Sequence, residues 1–227
     1  MRSTLLILLL ALVSTALFAQ AEISVRAGFG STNLRTDSEL DLVSDQFDAA
    51  GTTSFGVYAE YPVSDVFALR AGLETNRRGT SVALTDDVAV FGINLPLGAN
   101  AKTRFNYIDV PLQVKATLPT NSAVQPYAFA GASLGYATGG RITTTARAIV
   151  EFNVLNTKVD LDAINYERFH VAATGGVGLK FAFSDAVGAF VEGRFEQSLT
   201  QPYDVPIATA KTGFKNVNFG AGVTFAL

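Results

Sequence analysis

The segment VGAFVEGRFEQSL, residues 187–199, indicates a β-strand because its charged residues stand on every second position. Glu192, Arg194 and Glu196 are separated by single uncharged residues. Because a β-strand sends alternate side chains to opposite faces, this segment has one charged face and one apolar face. The apolar face must be covered either by a protein core or by lipid.

The same two-residue periodicity recurs in eight segments, and no segment has a helical period of useful length. The predicted strands are approximately 22–31, 53–62, 66–78, 104–118, 124–138, 167–182, 187–198 and 215–227. Within the cores of these segments the charges fall on one face, and the opposite face is apolar. This pattern predicts an all-β fold. A soluble β-sandwich shows the same alternation and stays open as the alternative.

The connections between the predicted strands alternate strictly between short and long. The short ones carry turn residues and lie at 62–65, 119–123 and 183–186. The long ones, each about 15–28 residues against a usual loop of about 4–6, lie around 32–52, 79–103, 139–166 and 199–214. An even number of strands with this asymmetry is typical of bacterial outer-membrane barrels. We therefore predict an eight-stranded antiparallel transmembrane β-barrel with up-and-down topology.

The N-terminus has the pattern of a secretory signal peptide. A basic start precedes an apolar run over residues 5–17, and small residues follow at Ala19 and Ala21. The run is shorter than the ~20 residues that span a bilayer as a helix, so an uncleaved membrane helix is the less favoured alternative. We predict a signal peptide over 1–19, with residue 21 as the alternative end. The barrel domain then covers 20–227 and is exported to the outer membrane.

Ten charged residues share the inward face of the predicted barrel: Arg26, Glu60, Arg70, Glu74, Asp109, Lys115, Lys180, Glu192, Arg194 and Glu196. An eight-stranded barrel has an interior just wide enough for side chains to fill. Because buried charge must be paired and the signs in this set balance, we predict a polar network that plugs the lumen. A path for a ligand or an ion is the alternative. Pro111 lacks an N–H within the fourth segment, which predicts a bulge.

The composition excludes several classes of function. A net charge of -3 leaves no excess of Lys and Arg for phosphate groups, so we expect no nucleic-acid partner. The chain contains no cysteine, which excludes disulfides, thiolate metal sites and a cysteine nucleophile. His170 is the single histidine, so a metal site built from several histidines is excluded.

The sequence assigns no catalytic, cofactor-binding or metal-binding residues. His170 has inward parity, and no partner such as Ser133 or Ser198 can be assigned to it, so a structural histidine is favoured over a catalytic one. We therefore expect a protein that is not an enzyme and uses no cofactor. The acidic residues of two long connections lack the spacing of a dedicated Ca²⁺ loop and are interpreted as solvated charge: Asp37, Glu39, Asp41, Asp45, Asp48, Asp86 and Asp87.

Two stretches resemble the PorT-type outer-membrane β-barrel family of Bacteroidetes, which is related in architecture to the small eight-stranded OmpA- and OmpX-like barrels. YIDVPLQVKA, Tyr107 to Ala116, is similar to the family's run of aromatic, aliphatic, acidic, aliphatic, Pro, Leu, then aliphatic and Lys residues. PYAFAGASLGY, Pro126 to Tyr136, is similar to the Gly-rich strand that follows. The chain departs from many such barrels by ending in Leu227 rather than an aromatic residue. The resemblance implies an outer-membrane barrel and, for the namesake member, a link to protein secretion across the outer membrane.

The predicted function is a structural or surface-interaction role for a monomeric barrel. Its partners are expected to be outer-membrane lipid and a protein bound through the four long extracellular connections, because recognition residues concentrate in loops on a rigid scaffold. RITTTARAIVEFNVLNTKVDL, residues 141–161, has β-branched alternation that predicts a hairpin above the membrane with an edge open to pairing. The alternatives are an accessory role in protein secretion and a narrow small-solute channel, which the charged lumen disfavours.

Overall fold

The computed structural model of the protein describes residues 21–35, 47–90, 93–120, 122–147, 151–159, 161, 166–200 and 213–227. The predicted signal peptide and the acidic positions Asp37, Glu39, Asp41 and Asp45 lie outside these ranges. The described residues form the strands β1 (Glu22–Arg35), β2 (Phe47–Pro62), β3 (Phe67–Val90), β4 (Ile93–Thr117), β5 (Val124–Arg147), β6 (Glu151–Val159), β7 (Phe169–Ala182), β8 (Val187–Ser198) and β9 (Gly213–Ala226). No helix of membrane-spanning length and hydropathy occurs in this part of the chain.

Eight of these strands close into a barrel. They follow one another in the order β4, β3, β2, β1, β9, β8, β7 and β5, and a further pairing of β4 with β5 completes the ring. Every pairing is antiparallel. The remaining strand, β6, lies outside the ring and pairs with residues 140–147 of β5. The predicted eight-stranded antiparallel barrel with up-and-down topology is confirmed.

The apolar faces of the strands form the outer surface of the barrel. On the segment 187–199, Val191 is 46% exposed, whereas Glu192 and Arg194 on the opposite face are 4% and 6% exposed. On other strands, Leu73 is 58% and Val177 is 66% exposed. A soluble sandwich buries its apolar faces, so the sandwich alternative is excluded. A continuous apolar exterior of this kind requires an apolar solvent.

Tight turns lie at one end of the barrel, and two of them share the same chemistry. In the β2–β3 turn, the Ser64 hydroxyl accepts a hydrogen bond from the N–H of Phe67 at 3.0 Å. In the β7–β8 turn, the Ser184 hydroxyl accepts one from the N–H of Val187 at 3.1 Å. Asp follows Ser in both turns, as expected of residues that favour local side-chain hydrogen bonds.

The long connections differ from the prediction because two of them are largely β-structure. Residues 79–103 were expected to be a loop, but β3 and β4 stay paired up to Val90 and Ile93. Their extension of about 12 residues corresponds to roughly 40 Å of strand. Both of its faces contain polar residues, so the contrast that reveals a half-buried strand is missing from the sequence. The hairpin predicted within 141–161 is present as the pairing of β5 with β6.

Pro111 does not mark a bulge, contrary to the sequence-based expectation. The β3–β4 register is the same on either side of it, from Ala71 opposite Leu112 to Glu74 opposite Asp109. The β3–β4 ladder is interrupted only between these two pairs, because Pro111 has no N–H to donate to β3. The other side of β4 continues to pair, with Pro111 opposite Ser133.

Inward-facing glycines leave space for long side chains that reach the middle of the barrel. At Gly220, a Cβ atom would lie 2.5 Å from Nε of Arg26. The Arg26 guanidinium is held by Ser54 at 2.8 Å and by Asn218 at 2.5 Å, so it has little freedom to move away. Gly193 faces outward on the neighbouring strand, and a Cβ there would be 3.5 Å from the ring of Phe219, an ordinary contact.

We expect Gly220→Ala to lower the free energy of unfolding by about 1–3 kcal/mol, because the added methyl group overpacks the site of the Arg26 guanidinium. The matched variant Gly193→Ala should change it by less than ~0.5 kcal/mol. Urea titration of the protein refolded in detergent micelles, followed by circular dichroism, measures both. Equal stability of the two variants would contradict the close packing at Gly220.

Candidate functional site

The barrel interior brings together the ten charged residues predicted to face it. Eight of them are buried, and Glu60 and Lys180 are half-buried. They form three groups along the barrel: an end group near the tight turns, a central group and an outer group near the long hairpins. Each group also contains residues that the sequence interpretation missed.

The central group places three guanidinium groups around two carboxylates. Glu192 accepts contacts from Arg26 at 2.7 Å, from Arg70 at 2.9 Å and from Arg194 at 3.0 Å. Glu74 pairs with Arg194 at 2.9 Å. These residues come from β1, β3 and β8, so the ion pairs connect strands that are not neighbours in the ring.

Two buried tyrosines complete the central group. The Tyr58 hydroxyl donates a hydrogen bond to Glu74 and accepts one from Arg194 at 2.9 Å. The Tyr127 hydroxyl donates to Glu192 at 3.0 Å. The guanidinium carbon of Arg70 lies 4.2 Å from the centre of the Tyr58 ring, within cation–π distance. Tyr58 shares the charged face of its strand with Glu60, and this parity was the signal available in the sequence. The fifth predicted segment contains no charged residue, so no such signal was available for Tyr127.

The outer group is centred on Arg78, which the sequence interpretation missed. Its Nη2 atom lies 2.9 Å from Asp109 Oδ2 and 2.5 Å from Glu196 Oε1. Arg78 belongs to β3 and Glu196 to β8, which are four steps apart in the eight-stranded ring and therefore on opposite walls. Arg78 shares the face of Arg70 and was missed because it stood at the limit of the predicted third segment.

The end group lies near the tight turns. Lys115 contacts both carboxylate oxygens of Glu60, at 2.8 and 2.9 Å. Lys180 pairs with Glu22, a residue that the sequence interpretation did not include. Beside this second pair is a polar cavity of about 210 Å³ whose lining includes Ser184 and Thr224. The barrel interior thus contains a polar space at this end.

An aromatic cluster fills the opposite end of the interior. It contains the buried side chains of Phe105, Tyr107, Ala137, Leu161, Tyr166 and Phe214. The rings of Phe105 and Tyr166 are stacked with centroids 4.4 Å apart, and the hydroxyls of Tyr107 and Tyr166 are hydrogen-bonded. Leu161 and Tyr166 belong to the connection between β6 and β7, which therefore contributes to the interior. No periodicity in that connection indicated this.

His170 is buried beneath the aromatic cluster. Its ring centroid is 5.5 Å from that of Tyr107, and its Nδ1 atom is 3.4 Å from the Thr200 hydroxyl. No hydrogen bond joins it to Ser133 or Ser198, and the Ser198 hydroxyl instead accepts from the N–H of Phe214 at 2.9 Å. The described ranges contain no group of three or more His, Asp or Glu residues suited to a metal ion.

The described interior contains equal numbers of paired positive and negative side chains. The cations are Arg26, Arg70, Arg78, Lys115, Lys180 and Arg194, and the carboxylates are Glu22, Glu60, Glu74, Asp109, Glu192 and Glu196. Each of them contacts at least one group of opposite charge. Such an arrangement compensates buried charge and braces the walls of the barrel.

The solved structures with a similar fold include a bacterial surface protein and a bacterial outer-membrane protein. Neisserial surface protein A is 15% identical, with 90% of this chain and 97% of that chain covered and a TM-score of 0.45. OprG from Pseudomonas aeruginosa is 14% identical, with 92% and 98% covered and a TM-score of 0.45. No curated protein sequence matches the chain.

The expectation that the protein is not an enzyme is wrong as an inference from this architecture. The similar solved structures include the outer-membrane enzyme PagL, at 15% identity, with 90% of this chain and 99% of that chain covered and a TM-score of 0.38. They also include the protease OmpT from Escherichia coli, at 14% identity, with 92% and 96% covered and a TM-score of 0.40. The comparison with solved structures thus does not support a protein without catalytic activity.

The family is established by the sequence itself. The model of the outer membrane protein beta-barrel domain matches residues 18–203, which is most of the chain. The closed barrel with its apolar exterior agrees with this match and with a position in the outer membrane. The chain belongs to the outer membrane protein beta-barrel domain family.

Proposed function

We propose that this protein is a monomeric outer-membrane barrel with a structural or surface-interaction role and a lumen plugged by ion pairs. Outer-membrane lipid surrounds its apolar exterior, and a protein partner binds the hairpins that project from it. The observation that carries the proposal is the charge-balanced interior, in which every named cation contacts a carboxylate. A filled interior leaves the surface of the barrel as the place for interaction.

The plug is supported by contacts that cross the barrel. Arg78 on β3 reaches Glu196 on the opposite wall, and Arg70 reaches Glu192 in the same manner. A solute that passed through the lumen would have to separate such pairs and leave buried charges without partners, which is costly. The aromatic cluster around Phe105 and Tyr166 adds a second obstruction at the outer end.

The surface role is supported by the hairpins. The β3–β4 hairpin and the β5–β6 hairpin are joined because β4 and β5 stay paired along the hairpins, as far as Gly98 opposite Arg147. Four paired strands therefore project from one side of the barrel: β3, β4, β5 and β6. A paired sheet presents its residues in a fixed arrangement and so limits the entropy lost on binding.

We expect Arg78→Met to lower the free energy of unfolding by about 3–5 kcal/mol, because it leaves the buried carboxylates of Asp109 and Glu196 without their cation. Arg77→Met is the matched control, since Arg77 is the adjacent residue on the exposed face. It should change stability by less than ~0.5 kcal/mol. Urea unfolding in detergent micelles measures both variants.

Equal stability of the Arg78 and Arg77 variants would contradict the bracing role of the network. The plug itself is checked with the wild-type protein in planar lipid bilayers, where insertion should produce no current steps. Regular steps would favour the narrow small-solute channel and overturn the filled lumen.

The absence of native cysteine allows the orientation of the hairpins to be tested by single substitutions. We expect Asp87→Cys, in the β3–β4 hairpin, to react with a membrane-impermeant maleimide on intact cells. Asp65→Cys, in the tight β2–β3 turn, should react only after the outer membrane is permeabilised, because the turn faces the periplasm. The reverse pattern would place the hairpins inside the cell envelope and remove the surface role.

A second candidate function is an accessory role in protein secretion across the outer membrane. The two stretches that resemble PorT-type barrels, Tyr107–Ala116 and Pro126–Tyr136, lie on β4 and β5 and pair with each other, for example Val110 with Leu134. The resemblance is thus concentrated in one pair of adjacent strands. We expect deletion of the gene to remove specific proteins from the culture medium if this role is correct. An unchanged set of secreted proteins, with the outer membrane intact, would exclude it.

A further inference from the structure

A row of four inward polar side chains crosses one wall of the barrel. Thr174 on β7 is paired with Glu196 on β8, Glu196 with Asn216 on β9, and Asn216 with Thr32 on β1. All four residues are at least nine-tenths buried. Because directly paired residues have Cβ atoms about 5 Å apart, neighbouring side chains in the row lie close together inside the lumen.

Three oxygen atoms of this row have no hydrogen-bond partner among the residues that the structure describes. They are Oγ1 of Thr32, Oγ1 of Thr174 and Oδ1 of Asn216. Buried polar atoms in native proteins nearly always have a partner, either from the protein or from a bound species. The oxygens of Thr174 and Asn216 lie on the two strands that flank Glu196, and that of Thr32 lies one strand further along the row. They therefore indicate a bound species that contacts several oxygen atoms.

The electrostatic balance of the outer group indicates the sign of that ligand. Among the described residues of the outer group, Arg78 contacts both Asp109 and Glu196. One positive charge therefore faces two carboxylates. The central group has the opposite balance, with three guanidinium groups around two carboxylates. Arg78 contacts Glu196 through Oε1, and the row continues on both sides of this carboxylate.

We propose that Glu196, Asn216 and Thr174, with Thr32 beside Asn216, bind a small monovalent cation inside the barrel. Hard cations prefer carboxylate, amide and hydroxyl oxygens, and this row supplies all three. Within the outer group, where Arg78 faces both Asp109 and Glu196, a single positive charge neutralises the local excess of negative charge. The cation also gives a partner to the buried oxygen atoms of Thr174 and Asn216, the residues on either side of Glu196 in the row. The site is thus an internal structural cation site, distinct from the surface role of the hairpins.

The test uses the wild-type protein refolded in zwitterionic detergent micelles, with Na⁺ as the probe. Thermal unfolding is compared in NaCl and in N-methylglucamine chloride at equal ionic strength. A ligand that binds only the folded state raises stability by mass action, so Na⁺ at about tenfold its dissociation constant should raise the unfolding midpoint by roughly 3–6 °C. Line broadening in ²³Na NMR of the same samples reports binding directly.

Thr174→Val is the decisive variant because it removes one ligand oxygen and nearly preserves the shape of the side chain. We expect it to lower the midpoint in Na⁺ and to abolish the difference between the two salts. Ser133→Ala is the matched control, since it removes a buried inward hydroxyl on β5, outside the row. It should keep the full Na⁺ dependence.

Three results would overturn the proposal. Equal midpoints of the wild-type protein in the two salts, without broadening of the sodium signal, would exclude the cation. A Thr174→Val protein that is at least as stable and keeps its Na⁺ dependence would exclude this row as the site. A destabilised Thr174→Val protein without any Na⁺ effect on the wild type would identify the ligand as water.

Discussion

The structure depends on the fact that hydrocarbon offers no hydrogen-bond partner to a peptide group. A sheet in a membrane must therefore close on itself, and here closure is achieved by the pairing of β4 with β5. Closure gives the two faces of every strand different surroundings. The apolar face meets lipid, and every charged side chain within the membrane must find its partner in the narrow space inside.

The narrow interior explains the residues found there. Long side chains such as Arg26 and Tyr58 can extend towards the axis only where a neighbouring strand has no side chain, and Gly220 and Gly72 provide that space. Glycine on the inward face is thus part of the packing of the charges. An arginine can then act as a branched donor that contacts more than one carboxylate, as Arg78 does with Asp109 and Glu196.

The sequence predicted most of the barrel because lipid and lumen impose opposite requirements on alternate residues. Parity assigns a face wherever this contrast exists, and the same parity applied to the end positions of the first and third predicted segments includes Glu22 and Arg78. The contrast ends where the β3–β4 hairpin leaves the membrane, so its strands were interpreted as loop. Leu161 and Tyr166 could not be assigned, because their place in the interior depends on packing against residues far away in the chain.

The ion pairs that cross the lumen also constrain how the protein reaches its membrane. Arg78 and Glu196 are separated by 118 positions in the chain, and Arg70 and Glu192 by 122. A single strand that crossed the bilayer before its distant partner would carry an uncompensated charge through hydrocarbon. The strands should therefore enter together, as a sheet that is already nearly closed, and insertion and charge neutralisation become one cooperative event. The interior network thus makes a partly inserted barrel an unstable species.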